Sequence, residues 1–448
     1  MDESLSESRE RWGGALAALA YRDFRIIWTT NLSAGAAAWA LIVARGWLVF
    51  TMTDSTLWVG LVTFTAMVPR AFVTPFTGYL SDRFDRRSVL ATMFGVNVLH
   101  NLVLALLVLT GTVEVWQLVV LSLINGSARA AGMPASQALI PNLVPRHLLL
   151  NAIALGQAAN HGSRLLGPLA IVPLLATTGV EGAFFLCTGF YVIGLVQILR
   201  VRTASTGKID RRQGLATNLT AGFAYMYRTQ TLRALILLTM FHCGLTMSFE
   251  SLLPVLSKQQ LNAEGAGFSY LMMAVGAGAL VTAIFLAGVR SRETRGRLFL
   301  ILGVLSGLSP ALLALSTNMP LALLATAAMG ASQAGFMTLT HTMIQSVTPD
   351  AIRGRVAGVY SVHIGSMMAS ANLVNGALAD WIDAPLVLMV AGLAFVVVML
   401  ASWQGVTLRH IYTDGLRPEE VESPEEVESE EEVEDAEEED AEEVEAKR

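Results

Sequence analysis

From Leu57 to Thr77 the chain has no acidic residue and a single base, Arg70, and from Val89 to Thr110 it has no formal charge. About 20 mostly apolar residues cover the hydrocarbon core of a bilayer, so each run is long enough to cross one. Joined by a short polar turn, the two runs make a transmembrane hairpin. The turn reads Gly78-Tyr79-Leu80-Ser81-Asp82-Arg83-Phe84-Asp85-Arg86-Arg87. Lys and Arg bias a loop toward the side from which it is not readily translocated, so this turn is expected in the cytoplasm.

The same alternation runs through the chain. Of its 448 residues 53% are hydrophobic and only 15% charged, which excludes an ordinary water-soluble protein. Apolar runs bounded by charges or by Gly, Pro and Asn number twelve: 24–50, 57–80, 88–110, 114–137, 148–177, 181–201, 232–257, 266–289, 297–316, 320–346, 354–380 and 384–406. Loops on one side carry fifteen bases, from Arg83 to Arg355, while those on the other carry only Lys258. That asymmetry predicts an even number of spans in the plasma (inner) membrane, with both termini cytoplasmic. Residues Met1 to Arg25 lack the apolar core of a cleavable signal, which leaves the first span as its own targeting signal.

The longest polar break, Arg202 to Gly214, separates six spans from six. The expected organisation is a cytoplasmic N-terminus (1–23), a six-helix half (24–201), a linker (202–231), a second half (232–406) and an acidic tail (407–448). Within the linker, Leu215 to Arg228 reads as an amphipathic surface helix. Eighteen of the 36 acids lie between Glu419 and Glu445, so the formal charge of -6 hides a basic body with 28 bases against 18 acids. Such a tail cannot bury enough surface to fold. Offsetting the chain by 204 residues lays Gly126 on Gly330, Met133 on Met337, Ile140 on Ile344 and Pro145 on Pro349. Gly288-Val289-Arg290-Ser291-Arg292 is a weak second copy of the charged turn, and together these matches predict two related halves.

The turn, with its glycine, leucine, aspartate and three arginines between a second and a third span, resembles the signature loop of the major facilitator superfamily of secondary transporters. Asp85 stands where that family commonly has glycine. Phe24-Arg25, Ala138-Leu139-Ile140-Pro141, Gly167-Pro168 and Leu252-Leu253-Pro254-Val255 resemble the branch that contains the enterobactin exporter and macrolide efflux pumps. The resemblance implies an all-α membrane protein with twelve helices in two pseudo-symmetric halves. It also implies a gate built from Gly78, Asp82, Arg83, Arg86 and Arg87, with Asp82 bonding to the start of the eleventh helix near Arg353 or Arg355. Arg129 and Gly132 are similar to the arginine and glycine of a fourth-span motif. Gly167-Pro168 is similar to an antiporter motif, although Leu169, Ala170 and Ile171 replace its later glycines.

Charges inside hydrocarbon cost a few kcal/mol each on insertion scales, so they face a cavity or a partner. Arg45, Arg70, Arg164, Gly167 and Pro168 are the cavity candidates. Proton coupling needs a group that is neutral in one state and charged in another, and acids within spans are scarce. Glu250 is the leading candidate, with Arg129, His161 and His242 beside it. Glu250 lies in the seventh span eight residues after His242, about two turns away on nearly the same face. Arg164 lies one turn from His161. The pairs Gly276 and Gly278, and Gly365 and Gly376, read as helix-packing positions, and Met272, Met273, Met367 and Met368 as gap fillers.

Cys187 and Cys243 form no disulfide framework or metal-ligand spacing, and no phosphate-binding loop or nucleophile triad is present. The expected protein is therefore not an enzyme and takes no cofactor and no metal. It is a monomeric secondary-active transporter in the lipid bilayer, exporting a small amphipathic or apolar molecule against protons by alternating access, with no nucleic-acid partner. A lipid or lysolipid translocator and a non-transporting scaffold or sensor are the alternatives.

Overall fold

The structure is a computed structural model that describes residues 14–74, 85–203, 215–263, 265–349 and 352–416. No strand occurs among them. The first half contains α1 (Arg22–Thr53), α2 (Thr56–Thr74), α3 (Arg86–Leu109), α4 (Val115–Leu139), α5 (Leu149–Thr177) and α6 (Gly179–Leu199). A connecting helix, α7 (Leu215–Arg228), leads to α8 (Gln230–Leu245), α9 (Gly265–Ala287), α10 (Arg292–Ala314), α11 (Met319–Val347), α12 (Arg353–Trp381) and α13 (Ala384–Ser402). A short helix, α14 (Val406–Asp414), follows.

Local signals set these boundaries. Asp85 caps α3 by accepting from the Arg87 backbone N–H at 3.1 Å, so the residue that departs from the family glycine begins a helix. Ser291 does the same for α10 and Asn318 for α11, each satisfying an otherwise orphaned N–H, an effect worth about 1 kcal/mol. Glu114 and Gln117 close a reciprocal capping box at the start of α4. The turn after α3 uses Gly111 at φ 67°, a left-handed conformation that a Cβ disfavours.

Among the described residues, eight helices are long and apolar enough to cross a membrane: α1, α2, α3, α6, α9, α10, α11 and α13. Three others, α4, α5 and α12, are 25, 29 and 29 residues long but carry more polar side chains, and α8 is broken. One face of the most apolar helices is exposed at helical spacing: Leu99, Leu102, Leu106 and Leu109 on α3, and Val390, Leu393, Val397 and Leu400 on α13. That is the reverse of a water-soluble surface and forms a lipid-facing belt.

Helix pairing repeats between the halves. In the first, α1 packs on α5 and α6, α3 on α4 and α6, and α2 on α4. In the second, α8 packs on α12 and α13, α10 on α11 and α13, and α9 on α11. The halves meet through α2 on α12 and α5 on α9, two contacts that a pseudo-twofold axis exchanges. Gly126 and Gly330 show the same relation at residue level. A Cβ on Gly126 would overlap the carbonyl of Ala66 on α2, and one on Gly330 would overlap that of Val275 on α9. Small residues let the backbones approach this closely.

Three expectations are corrected. The seventh span is not continuous: α8 stops at Leu245, and helical turns resume only at Leu253–Val255, running on into a π turn over Leu256–Gln260. The ninth begins at Arg292 rather than 297, because Ser291 caps it there. Folded chain also extends into the segment assigned to the tail, since α14 buries Ile411 and Tyr412 against α10, with the Tyr412 ring 5.8 Å from Phe299. Residues 417–448 lie outside the described residues. Helix α7 has the expected limits and rests on α12, where Tyr227 donates to His363 Nε2 at 2.7 Å while His363 Nδ1 donates to the Val359 carbonyl.

Candidate functional site

The break in α8 lies against the other half. Leaving the helix frees backbone groups that hydrocarbon cannot satisfy, so side chains of neighbouring helices take them over. Gln333 on α11 donates to the Thr246 carbonyl at 2.7 Å, and Asn375 on α12 donates to that of Ser248 at 2.7 Å. Asn372 accepts from the Ser251 N–H at 3.2 Å, and its own carbonyl accepts from the Ser251 hydroxyl at 3.1 Å. The break is thus a built feature, and it carries Glu250. The carboxyl is 4% exposed and its Oε2 has no hydrogen-bond partner.

Four arginines of the first half surround this acid. Arg45, Arg70, Arg129 and Arg164 all lie within electrostatic reach of it. Arg45 on α1 is 4% exposed, with Nη1 unpartnered. Arg70 on α2 passes Gly365 of α12, where a Cβ would lie 3.0 Å from its own, and reaches Met133 Sδ at 3.7 Å. Arg164 on α5 stacks its guanidinium 4.5 Å above the Trp39 ring of α1, with Nε unpartnered. Its backbone meets Gly276 of α9. Arg129 on α4 is solvent-accessible and lies within electrostatic reach of Arg45, Arg70, Tyr191 and Glu250. Among the described residues none of the four is close enough to Glu250 to close an ion pair. Among the described residues, four cations therefore share one acid without a direct ion pair.

The structure brings together Glu250, Arg45, Arg70, Arg129 and Arg164, with His161 half-buried one turn from Arg164. It does not bring His242 to them. The break removes the common face, and His242 is fully buried between Phe336 and Phe395, with Nε2 bonded to Ser306 at 2.8 Å. Gly167 is a crossing point rather than a cavity wall, because a Cβ there would overlap the Ala36 carbonyl of α1. Pro168 is buried beside it within α5.

Of the gate residues, Gly78, Asp82 and Arg83 lie outside the described residues. Arg86 and Arg87 open α3, and Arg87 donates to the Leu199 carbonyl at the end of α6 at 3.1 Å. Arg353 opens α12 and donates to the Thr348 carbonyl at 3.2 Å, and Arg355 follows two residues later in the same turn.

The opposite end of the bundle holds a seam that the sequence did not reveal. Helix α2 has no side-chain cap of its own at Ser55. Asp380, near the end of α12 in the other half, supplies one instead. Its carboxylate accepts from the Thr56 N–H at 2.7 Å, the Leu57 N–H at 3.2 Å and the hydroxyls of Ser55 and Thr56. Lys258 pairs with Asp54 at 3.1 Å across the same seam, and the Trp47 indole packs on Gly265. In the sequence Asp380 was only a charge at a helix end. Gln333, Asn372 and Asn375 were likewise unremarked polar residues in apolar runs, although buried amides in a membrane helix need partners.

A family described as transmembrane secretion effector matches residues 13–435. The multidrug efflux pump Tap of Mycolicibacterium fortuitum is 26% identical over 362 residues, covering 78% of this chain and 87% of Tap. The enterobactin exporter EntS of Shigella boydii is 30% identical over 319 residues, 69% of this chain and 74% of EntS. Among solved structures, a POT family transporter in complex with a thioalcohol-conjugated peptide superposes with a TM-score of 0.68 at 14% identity, covering 86% of this chain and 96% of that one. With two six-helix halves meeting at a charged centre and a family match over nearly its whole length, this chain belongs to the major facilitator superfamily of membrane transporters.

Proposed function

We propose that the protein exports small molecules across the plasma (inner) membrane by alternating access, as a monomer, with Glu250 as the proton-coupling acid. The observation that carries this reading is the position of Glu250: a buried carboxyl on a broken helix of one half, facing four guanidiniums of the other. Broken membrane helices place such groups at the interface of two repeats, where rocking exposes them to alternate sides. Burial favours the protonated carboxyl and the guanidiniums favour the ionised one, so a motion that changes their distances binds or releases a proton. Relatives named as a multidrug efflux pump and an enterobactin exporter support the direction of transport. The arginine-rich loops support cytoplasmic termini, and in that orientation the Asp380 seam closes the outer side.

The test uses inverted membrane vesicles with an imposed pH gradient and three dyes: ethidium, Nile red and carboxyfluorescein. Wild type should move at least one of them faster with the gradient than without it. Glu250→Gln should insert to the same abundance and lose the pH-dependent part, a fall of about tenfold or more, since a proton-relay group typically contributes 10²–10⁴ in rate. Full pH-driven movement by the variant removes Glu250 from the coupling role.

A further inference from the structure

We propose that His242 is a positioning residue: its imidazole is a hydrogen-bond donor that fixes where α8 ends, and so where Glu250 stands. The consequence for transport rests on the coupling role proposed for Glu250. A closed circuit of hydrogen bonds surrounds the last turn of α8. Nε2 of His242 meets the Ser306 hydroxyl of α10 at 2.8 Å, Ser306 donates to the Thr246 hydroxyl at 3.2 Å, and Thr246 donates to the backbone carbonyl of His242 at 2.9 Å. All three side chains are buried.

Counting protons fixes the direction of this circuit. A carbonyl only accepts, so the single Thr246 proton goes to it, and the Thr246 oxygen takes the proton of Ser306. Ser306 is left with lone pairs to offer, which makes Nε2 of His242 the donor. The other ring nitrogen, Nδ1, has no hydrogen-bond partner among the described residues, and the ring packs between Phe336 at 4.3 Å and Phe395 at 5.1 Å. A second proton, on Nδ1, would have no acceptor, so the imidazole is a strut and not a carrier.

One carbonyl links the circuit to Glu250. In a continuous α-helix the Glu250 N–H would bond to the carbonyl of Thr246, four positions back. The Gln333 amide of α11 takes that carbonyl instead, at 2.7 Å. The residues between are diverted too: the Met247 N–H bonds to the His242 carbonyl at 3.2 Å, and the Ser248 hydroxyl takes that of Cys243 at 2.7 Å. Thr246 is thus held through its hydroxyl by α10 and through its carbonyl by α11, and the helix stops short of Glu250. Releasing Thr246 returns its carbonyl to the Glu250 N–H, lengthens α8 by a turn and swings the carboxyl toward the face that His242 occupies eight residues back.

The test compares full-length wild type with His242→Phe, Ser306→Ala, their double variant and His242→Gln, whose side-chain N–H reaches the place of Nε2. One readout is pH-driven dye movement in inverted vesicles. The other, independent of transport, is the rate at which dicyclohexylcarbodiimide, an apolar carboxyl reagent, modifies Glu250 in the purified protein, followed by mass spectrometry. His242→Phe and Ser306→Ala should each change the labelling rate by about two- to tenfold, the worth of one intramolecular hydrogen bond. Each should also lower pH-driven movement by about tenfold or more, since misplacing a reacting group by about 1 Å costs up to about 10²-fold. The double variant should be no worse than either single one, because all three break the same circuit. His242→Gln should stay within about twofold of wild type in both readouts, although its amide takes up no proton.

Loss of pH-driven movement in His242→Gln with normal labelling makes His242 a proton carrier and overturns the proposal. Single effects that add in the double variant, or wild-type behaviour of both single variants, overturn it as well. If His242→Phe does not fold, Ser306→Ala, which removes one oxygen, and His242→Gln decide. If labelling responds as expected while Glu250→Gln keeps full pH-driven movement, the coupling reading fails and the positioning stands. If Glu250→Gln abolishes that movement but neither readout responds to the circuit variants, the reverse holds.

Discussion

Gly126 and Gly330 occupy equivalent crossings, each pressed on a carbonyl of the neighbouring helix. Any side chain there forces the pair apart. Gly330→Val should lower stability by about 1–3 kcal/mol, the range for overpacking, and a thermal shift of the purified protein should show a fall of several degrees. An unchanged transition would mean that α9 and α11 do not approach as described. The offset of 204 residues made this pair legible in the sequence, because glycine is the one residue whose packing use survives as its identity. Glu250 was legible as the scarce intramembrane acid. Its relation to His242 was not, since reading helical faces assumes an unbroken helix, and the chain leaves the helix at Thr246. What holds the break open is a set of amides more than 80 residues away, which no local pattern can announce.

At the scale of elements, the cap on α2 differs from those on α3, α10 and α11. Those helices cap themselves, whereas α2 is capped by Asp380 from α12, so its first turn is satisfied only while the halves are closed at that end. Opening this end exposes the Thr56 and Leu57 N–H groups to water. Replacing an N-cap acid by alanine costs about 1 kcal/mol, so Asp380→Ala should shift the population toward the outward-open form by about fivefold. Spin labels at Leu57→Cys and Trp381→Cys would read that shift as growth of a longer distance component. A distance distribution that does not respond to the substitution would make the cap incidental to gating. This was not legible in the sequence, because a carboxylate at one helix end caps a different helix only once the topology has brought them together.

For the whole molecule, the twelve apolar runs and their charge asymmetry carried the architecture, with errors where polar chain was folded rather than spanning. Helix α14 is one such place: its mixed composition resembled the tail, yet Tyr412 packs on Phe299 and bonds to Ser402 at 2.7 Å. Orientation follows from the proposed topology and is directly measurable. A cysteine at Asn318, exposed between α10 and α11, should react with an impermeant maleimide from outside, and one at Ser291, exposed before α10, only after permeabilisation. Equal reactivity from one side would break the arrangement.

The division of charge between the halves has an electrical consequence. Among the described residues, four guanidiniums ride on one half and the carboxyl they attract on the other, so rocking displaces fixed charge relative to the bilayer even when nothing is carried. Each unit charge moved through the full potential changes energy by about 2.3 kcal/mol per 100 mV. Membrane voltage is then expected to bias which way the empty protein faces, by an amount set by how far these charges travel.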